Sequence, residues 1–169
     1  MNSAFKKVEW ATAIKQREPL FFKMPSTAFD QEREAIRRAT EDLHFGMFEI
    51  DCNYLVTRTS AMSHLSAIFQ FPEWFGKNWD AVFDLLTDLS WLDTKGYLLI
   101  LLHEEVLERS DQTEAAKLAA VLLSAGTYWS EYDGLGDAHS PKPFHILGVG
   151  KQNQHPLISL IEAERQKRK

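Results

Sequence analysis

The stretch Pro72–Leu89 reads PEWFGKNWDAVFDLLTDL. Pro72 and Gly76 punctuate a turn. Asn78 is a residue type that caps helices, its side chain accepting a backbone N–H that the first turn leaves over. A helix from Trp79 to about Leu89 puts Val82, Leu85, Leu86 and Leu89 on one face. It puts Asp80, Asp84 and Asp88 on another stripe, because residues four apart are neighbours on a helix. Like charges at that spacing repel. The stripe directly follows Glu73, Trp74 and Phe75, so the segment describes an acidic, aromatic-rimmed surface suited to a strongly basic partner.

Outward from this segment the hydrophobic pattern alternates between short strands and helices. Leu20–Met24 reads as a strand closed by Pro25. Phe29–His44 reads as a helix with Ile36, Ala39, Thr40 and Leu43 on its apolar side, ended by Gly46. Met47–Ile50 is a strand. Ser60–Gln70 is a helix stopped by Pro72. Tyr97–Leu102 is an apolar run of the kind buried on both faces in parallel sheets. Asp111–Ala125 is a helix that reaches Glu131 if Gly126 is tolerated, at a cost of about 1 kcal/mol. A loop at 133–143, a strand at Phe144–Val149, a short helix at Leu157–Ala163 and a solvated basic ending RQKRK complete the chain.

Strands separated by helices predict an α/β fold, with a small, mainly parallel sheet of three to four strands packed by helices. At 169 residues one core is expected. The reading divides the chain into an N-terminal extension, 1–45, with an extra strand and helix, a main domain, 46–150, and a C-terminal tail, 151–169.

Composition excludes several classes. A formal net charge of −5 argues against general nucleic-acid binding. The single cysteine, Cys52, rules out an intrachain disulfide and a cysteine zinc site, and fits a reducing compartment. No apolar run approaches a membrane span and no signal peptide is read, so a cytoplasmic protein with no membrane partner is expected. The six histidines show no metal-ligand spacing; His103-Glu104-Glu105 comes nearest, and neighbours on a strand point to opposite faces. No nucleophile elbow and no phosphate loop occur. Asp80 and Asp84 on an open helix face would be poor general acids. The chain is therefore expected to be no enzyme, with no cofactor and no metal. Trp74, Phe75, Trp79, Phe83 and Trp91 are more aromatic area than a short helix needs for packing, and aromatic anchors among charges are typical of protein–protein hot spots.

The run Pro72-Glu73-Trp74-Phe75-Gly76-Lys77-Asn78-Trp79-Asp80-Ala81-Val82-Phe83-Asp84, continued by Leu89-Ser90-Trp91-Leu92 and the strand Gly96–Leu102, resembles the barstar family of intracellular ribonuclease inhibitors. The resemblance covers about residues 46–150. It implies a small parallel sheet packed by helices, and an inhibitor whose acidic helix and preceding loop plug a cationic active site. The implied partner is a basic ribonuclease or ribonuclease-like toxin. The implied contact residues are Trp74, Gly76, Asn78, Asp80, Phe83 and Asp84, with Asp84 central and Asp80 its companion; the acidic stripe and the aromatic turn add Asp88 and Phe75 to the expected partner-binding residues. Glu131, or Asp133, stands where a late-helix glutamate meets the enzyme. Against the best-known member, Lys77 stands where an acid occurs, Asp88 at a glycine position and Leu89 at a tryptophan, and Phe83 stands for a family ring that is normally tryptophan. A basic toxin domain without ribonuclease activity is the alternative partner.

Overall fold

A computed structural model describes residues 9–131, 140–152 and 154–169. Four strands form one sheet: β1 (Phe21–Pro25), β2 (Phe45–Asp51), β3 (Gly96–Leu102) and β4 (Phe144–Gly150). Their order is β1-β4-β3-β2, and every pairing is parallel. The helices are α1 (Trp10–Ala13), α2 (Ser26–Asp42), α3 (Arg58–Phe69), α4 (Trp79–Asp88), α5 (Gln112–Glu131) and α6 (Pro156–Lys167).

The strand order decides which face each helix covers. Parallel strands are joined by right-handed crossovers almost without exception. The β1-to-β2 connection crosses the sheet in one direction, and β2 to β3 to β4 returns in the other. Helices of the two directions must therefore lie on opposite faces. Residues on the strands alternate accordingly. Ile50, Tyr97, Leu99, Leu101, Phe144 and Ile146 join the core under α3, α4, α5 and α6. Leu98, Ile100, Leu147 and Val149 join Trp10, Ile14, Met24, Phe29 and Ile36 on the face of α1 and α2. Each such side chain left in water would cost roughly 1.5–3 kcal/mol. Residues 9–45 thus form the second cover of the same sheet.

Several boundaries differ from the sequence reading. Gly46 does not end α2. His44 takes the left-handed turn at φ 56°, and Gly46 lies inside β2. Gln70, also left-handed, closes α3 two residues before Pro72, and the Phe71 N–H bonds Ser66 O at 3.0 Å. Gly126 sits within α5, where a Cβ would meet Pro19 at 3.0 Å; the chain entering β1 runs against the bare helix backbone there. The basic ending is no free tail. α6 runs to Lys167, and Arg165 and Arg168 pair with Glu18 and Glu164. Of the 133–143 loop, residues 133–139 lie outside the described residues.

His103-Glu104-Glu105 is not on a strand. His103 is left-handed at φ 58°, and a 3-10 helix begins at Glu104. The Glu104 carboxylate turns inward to full burial. It accepts from the Ile158 N–H at 2.7 Å and lies 3.1 Å from His155 Nδ1, so it caps the start of α6. Burial pushes its carboxyl up to about 7. A Cβ on Gly148 would fall 2.1 Å from Glu104 Oε2, so a bare glycine in β4 makes the room.

Candidate protein-binding site

The turn between α3 and α4 is tightly specified. The Phe75 N–H bonds Pro72 O at 2.9 Å, and Lys77 takes a left-handed conformation at φ 49°. Asn78 is the N-cap of α4. Its Oδ1 accepts from the Ala81 N–H at 2.9 Å, and its Nδ2 donates to Gly76 O at 3.1 Å. A Cβ on Gly76 would press the Asn78 amide at 3.2 Å, so Gly76 leaves room for the cap.

α4 buries Trp79, Val82, Leu85 and Leu86 against the sheet and α5. The Trp79 N–H donates to Glu114 Oε2 at 2.7 Å, and the Trp129 N–H to Leu86 O at 2.9 Å. These two indoles lock α4 alongside α5 near both ends, in parallel. Hydrogen bonds from Lys117 and Trp79 hold the Glu114 carboxyl below its usual range. Leu89 ends the helix in a left-handed conformation at φ 45° and is fully buried, so this position serves the core.

Asp80 and Asp84 lie on the outer stripe of α4, both exposed. Among the described residues no ion pair reaches either of them. Asp80 is in the first turn, where a negative charge is favoured by the helix dipole. Asp84 is mid-helix and Asp88 in the last turn, where the dipole opposes a negative charge. Asp88 is half-buried, and its Oδ1 accepts from the Ser90 N–H at 3.3 Å. Between α4 and α5 runs a groove of about 330 Å³, lined by Trp79, Asp80, Phe83, Asp84, Val121 and Ser124 among others. Half-buried Phe83 gives it an apolar wall beneath two carboxylates.

The aromatics divide as neither composition nor spacing could decide. Trp74 is 74% exposed. Phe75, expected at the surface, is inside. Its ring packs on Phe71 with centroids 5.0 Å apart, because the turn brings residue 75 back over the α3 end. Phe75 therefore holds Trp74 outward and offers no ring of its own. Trp79 is core, and Trp91 anchors its N–H to Phe69 O at 2.9 Å with its ring at the surface. Glu131, at the end of α5, does not line the groove. It lines a neighbouring cavity with Arg17 and Arg165. Asp133 lies outside the described residues. Glu114 and the groove's α5 wall were missed in the sequence, since an i-to-j contact across 35 residues leaves no local periodic signal.

Among the described residues no group of three or more His, Cys, Asp or Glu is placed to hold a metal ion, and no helix is long and apolar enough to cross a membrane. The site presents two carboxylates met by no ion pair among the described residues, an exposed indole and a groove with an apolar wall.

No curated protein matches the chain significantly. A family model described as Barstar (barnase inhibitor) matches residues 45–147, which span β2 through most of β4 and include the whole of α4 and its preceding turn. With the parallel sheet and this helix-borne acidic face, the chain belongs to the barstar family.

Proposed function

We propose that this protein inhibits a cationic ribonuclease by seating α4 and the Trp74 turn in the enzyme's active-site cleft. The observation that carries the reading is the pair Asp80 and Asp84: exposed, one turn apart, and met by no ion pair among the described residues. Such a pair repels itself in the free protein and gains when a cationic cleft covers it. Asp84 stands in for a substrate phosphate, Asp80 supports it one turn earlier, and Trp74 supplies flat apolar area at the rim. Asn78 and Gly76 act by fixing the turn. The protein works by binding alone, with no cofactor and no metal.

The test is inhibition of RNA hydrolysis by barnase as a representative guanyl-type ribonuclease. The wild type should inhibit, and D80N/D84N should fail while keeping its fold, since both side chains are exposed. Equal inhibition by the double variant would remove the acidic-plug reading. A second reading is binding to a basic toxin domain that is no ribonuclease. It is favoured by Lys77, an exposed cation beside the acidic stripe that locally weakens its negative field. Tight, Asp84-dependent binding to such a domain with no effect on RNA hydrolysis would select it.

A further inference from the structure

Helix α5 is a ridge with opposite charge on its two flanks. One flank is the groove of Asp80 and Asp84. The other is a cavity of about 640 Å³, whose lining includes the cations Arg17, Arg165, Arg168 and Lys169 and the acids Glu18 and Glu131. Ser124 belongs to both sides. It lines the acidic groove, and its Oγ accepts from Arg168 Nη1 at 2.9 Å. The guanidinium therefore reaches over the ridge to the edge of the groove that holds Asp84.

Two bland explanations cover part of this. Cations in the last turn of α6 complement its dipole, and Arg168 and Arg165 pair with Glu164 and Glu18 at 3.1 and 2.8 Å. Neither accounts for the arm across Ser124, and exposed pairs of this kind are weakly held. All four cations lie outside residues 45–147. They come from the chain segments that flank the matched region.

We propose that the partner straddles α5 and is bipolar: its cationic cleft meets Asp80 and Asp84, and an acidic lip beside the cleft meets Arg168 and its neighbours. The inference rests on the acidic-groove reading above. A helix with its side chains is about 10 Å across, so the two lips are separated by roughly that distance. A partner with a uniformly cationic rim would bring like charge against Arg168, which interfaces select against. Arg168 is then a specificity residue, and the family match alone would misjudge the partner.

The test uses two dye-labelled peptides of equal length at low salt, followed by fluorescence anisotropy. One is octalysine; the other joins four lysines to four glutamates. Four extended residues span about 13 Å, enough to cross the ridge. The wild type should bind the block peptide several-fold more tightly than octalysine, and R168E should reverse that order. R168K should keep it, which separates charge from loss of the Ser124 contact. If R168E leaves the order unchanged while D80N/D84N still weakens octalysine, the bipolar inference fails and the acidic-groove reading stands. If D80N/D84N weakens neither peptide, or the wild type binds neither, both fall together.

Discussion

Trp79 donates its indole N–H to Glu114 Oε2 at 2.7 Å, which ties the first turn of α4 to the first turn of α5 and sets the width of the groove between them. A hydrogen bond to a charged acceptor contributes roughly 1.5–3 kcal/mol, less where water reaches it. W79F keeps most of the ring and loses the donor. Its expected cost is about 1–2 kcal/mol in urea unfolding, with binding through the groove also weakened. Stability unchanged within error would show that the bond is replaced by water and does not set the helix spacing.

At the proposed interface Asp84→Ala should cost most. Removing one partner of a covered charge pair leaves the other buried and unpaired, at roughly 2–5 kcal/mol, a range that the barnase–barstar pair itself helped to define. The loss should appear as faster dissociation in surface plasmon resonance. Asp88→Ala, half-buried at the far end of α4, should instead leave the lifetime nearly unchanged and alter the salt dependence.

Lys77 combines an exposed positive charge with a left-handed backbone at φ 49°. K77E should speed association with a cationic partner several-fold and steepen its fall with salt. K77G separates the two properties, since it removes the charge and suits the backbone. Stopped-flow association at two ionic strengths reads both, and slower association by K77E would mean that Lys77 faces an acid on the partner.

Glu104 and Gly148 are expected to be coupled. G148A drives a Cβ to 2.1 Å from Glu104 Oε2 and 2.6 Å from Ile158 Cγ1, so a loss of about 1–3 kcal/mol or more is expected. E104A strips the Ile158 N–H of its acceptor, at roughly 1–3 kcal/mol. In E104A/G148A the new methyl occupies vacated space. The double variant should therefore lose less than the sum of the singles, by about 0.5–3 kcal/mol in a double-mutant cycle. Strict additivity would mean that the clash is with Ile158 alone.

His145 gives the fold a pH dependence of definite sign. Its ring is fully buried, its Nδ1 accepts from the Leu20 N–H at 3.1 Å, and its Nε2 lies 2.8 Å from Ile14 O, which together pin residues 14–20 onto the sheet. Burial lowers its pKa from the usual 6.5. A depressed folded-state value means that its contribution is complete above 6.5 and is lost as pH falls through that lower value. Glu104, raised to about 7, acts in the opposite direction: its contribution is complete below 4.5 and is lost as pH rises through 7. Comparing wild type with H145Q removes that background. The stability gap between them should be wide at pH 7.5 and should narrow below 6.5; a constant gap would show that His145 does not titrate against folding.

The sequence by itself determined the α/β alternation, the parallel character of Tyr97–Leu102 and the acidic stripe on α4. These depend on periodicity within a few turns of chain, and Asn78 announced its helix through chemistry that acts over three residues. Tertiary structure decided what local pattern cannot encode. Phe75 and Trp74 are adjacent and chemically alike, and only the closure of the turn onto Phe71 sends one inward and the other to solvent. Glu104 reads only as a neighbour of His103 on a strand, yet it is buried in a 3-10 turn where it caps α6 and Gly148 leaves it space. Residues 9–45 look like an appendage in sequence, but the right-handed crossover rule makes α2 the cover of a sheet face whose Leu98, Ile100 and Leu147 would otherwise meet water. The basic ending became part of the candidate interface for the same reason: α6 packs beside α5, and that packing carries Arg168 to Ser124.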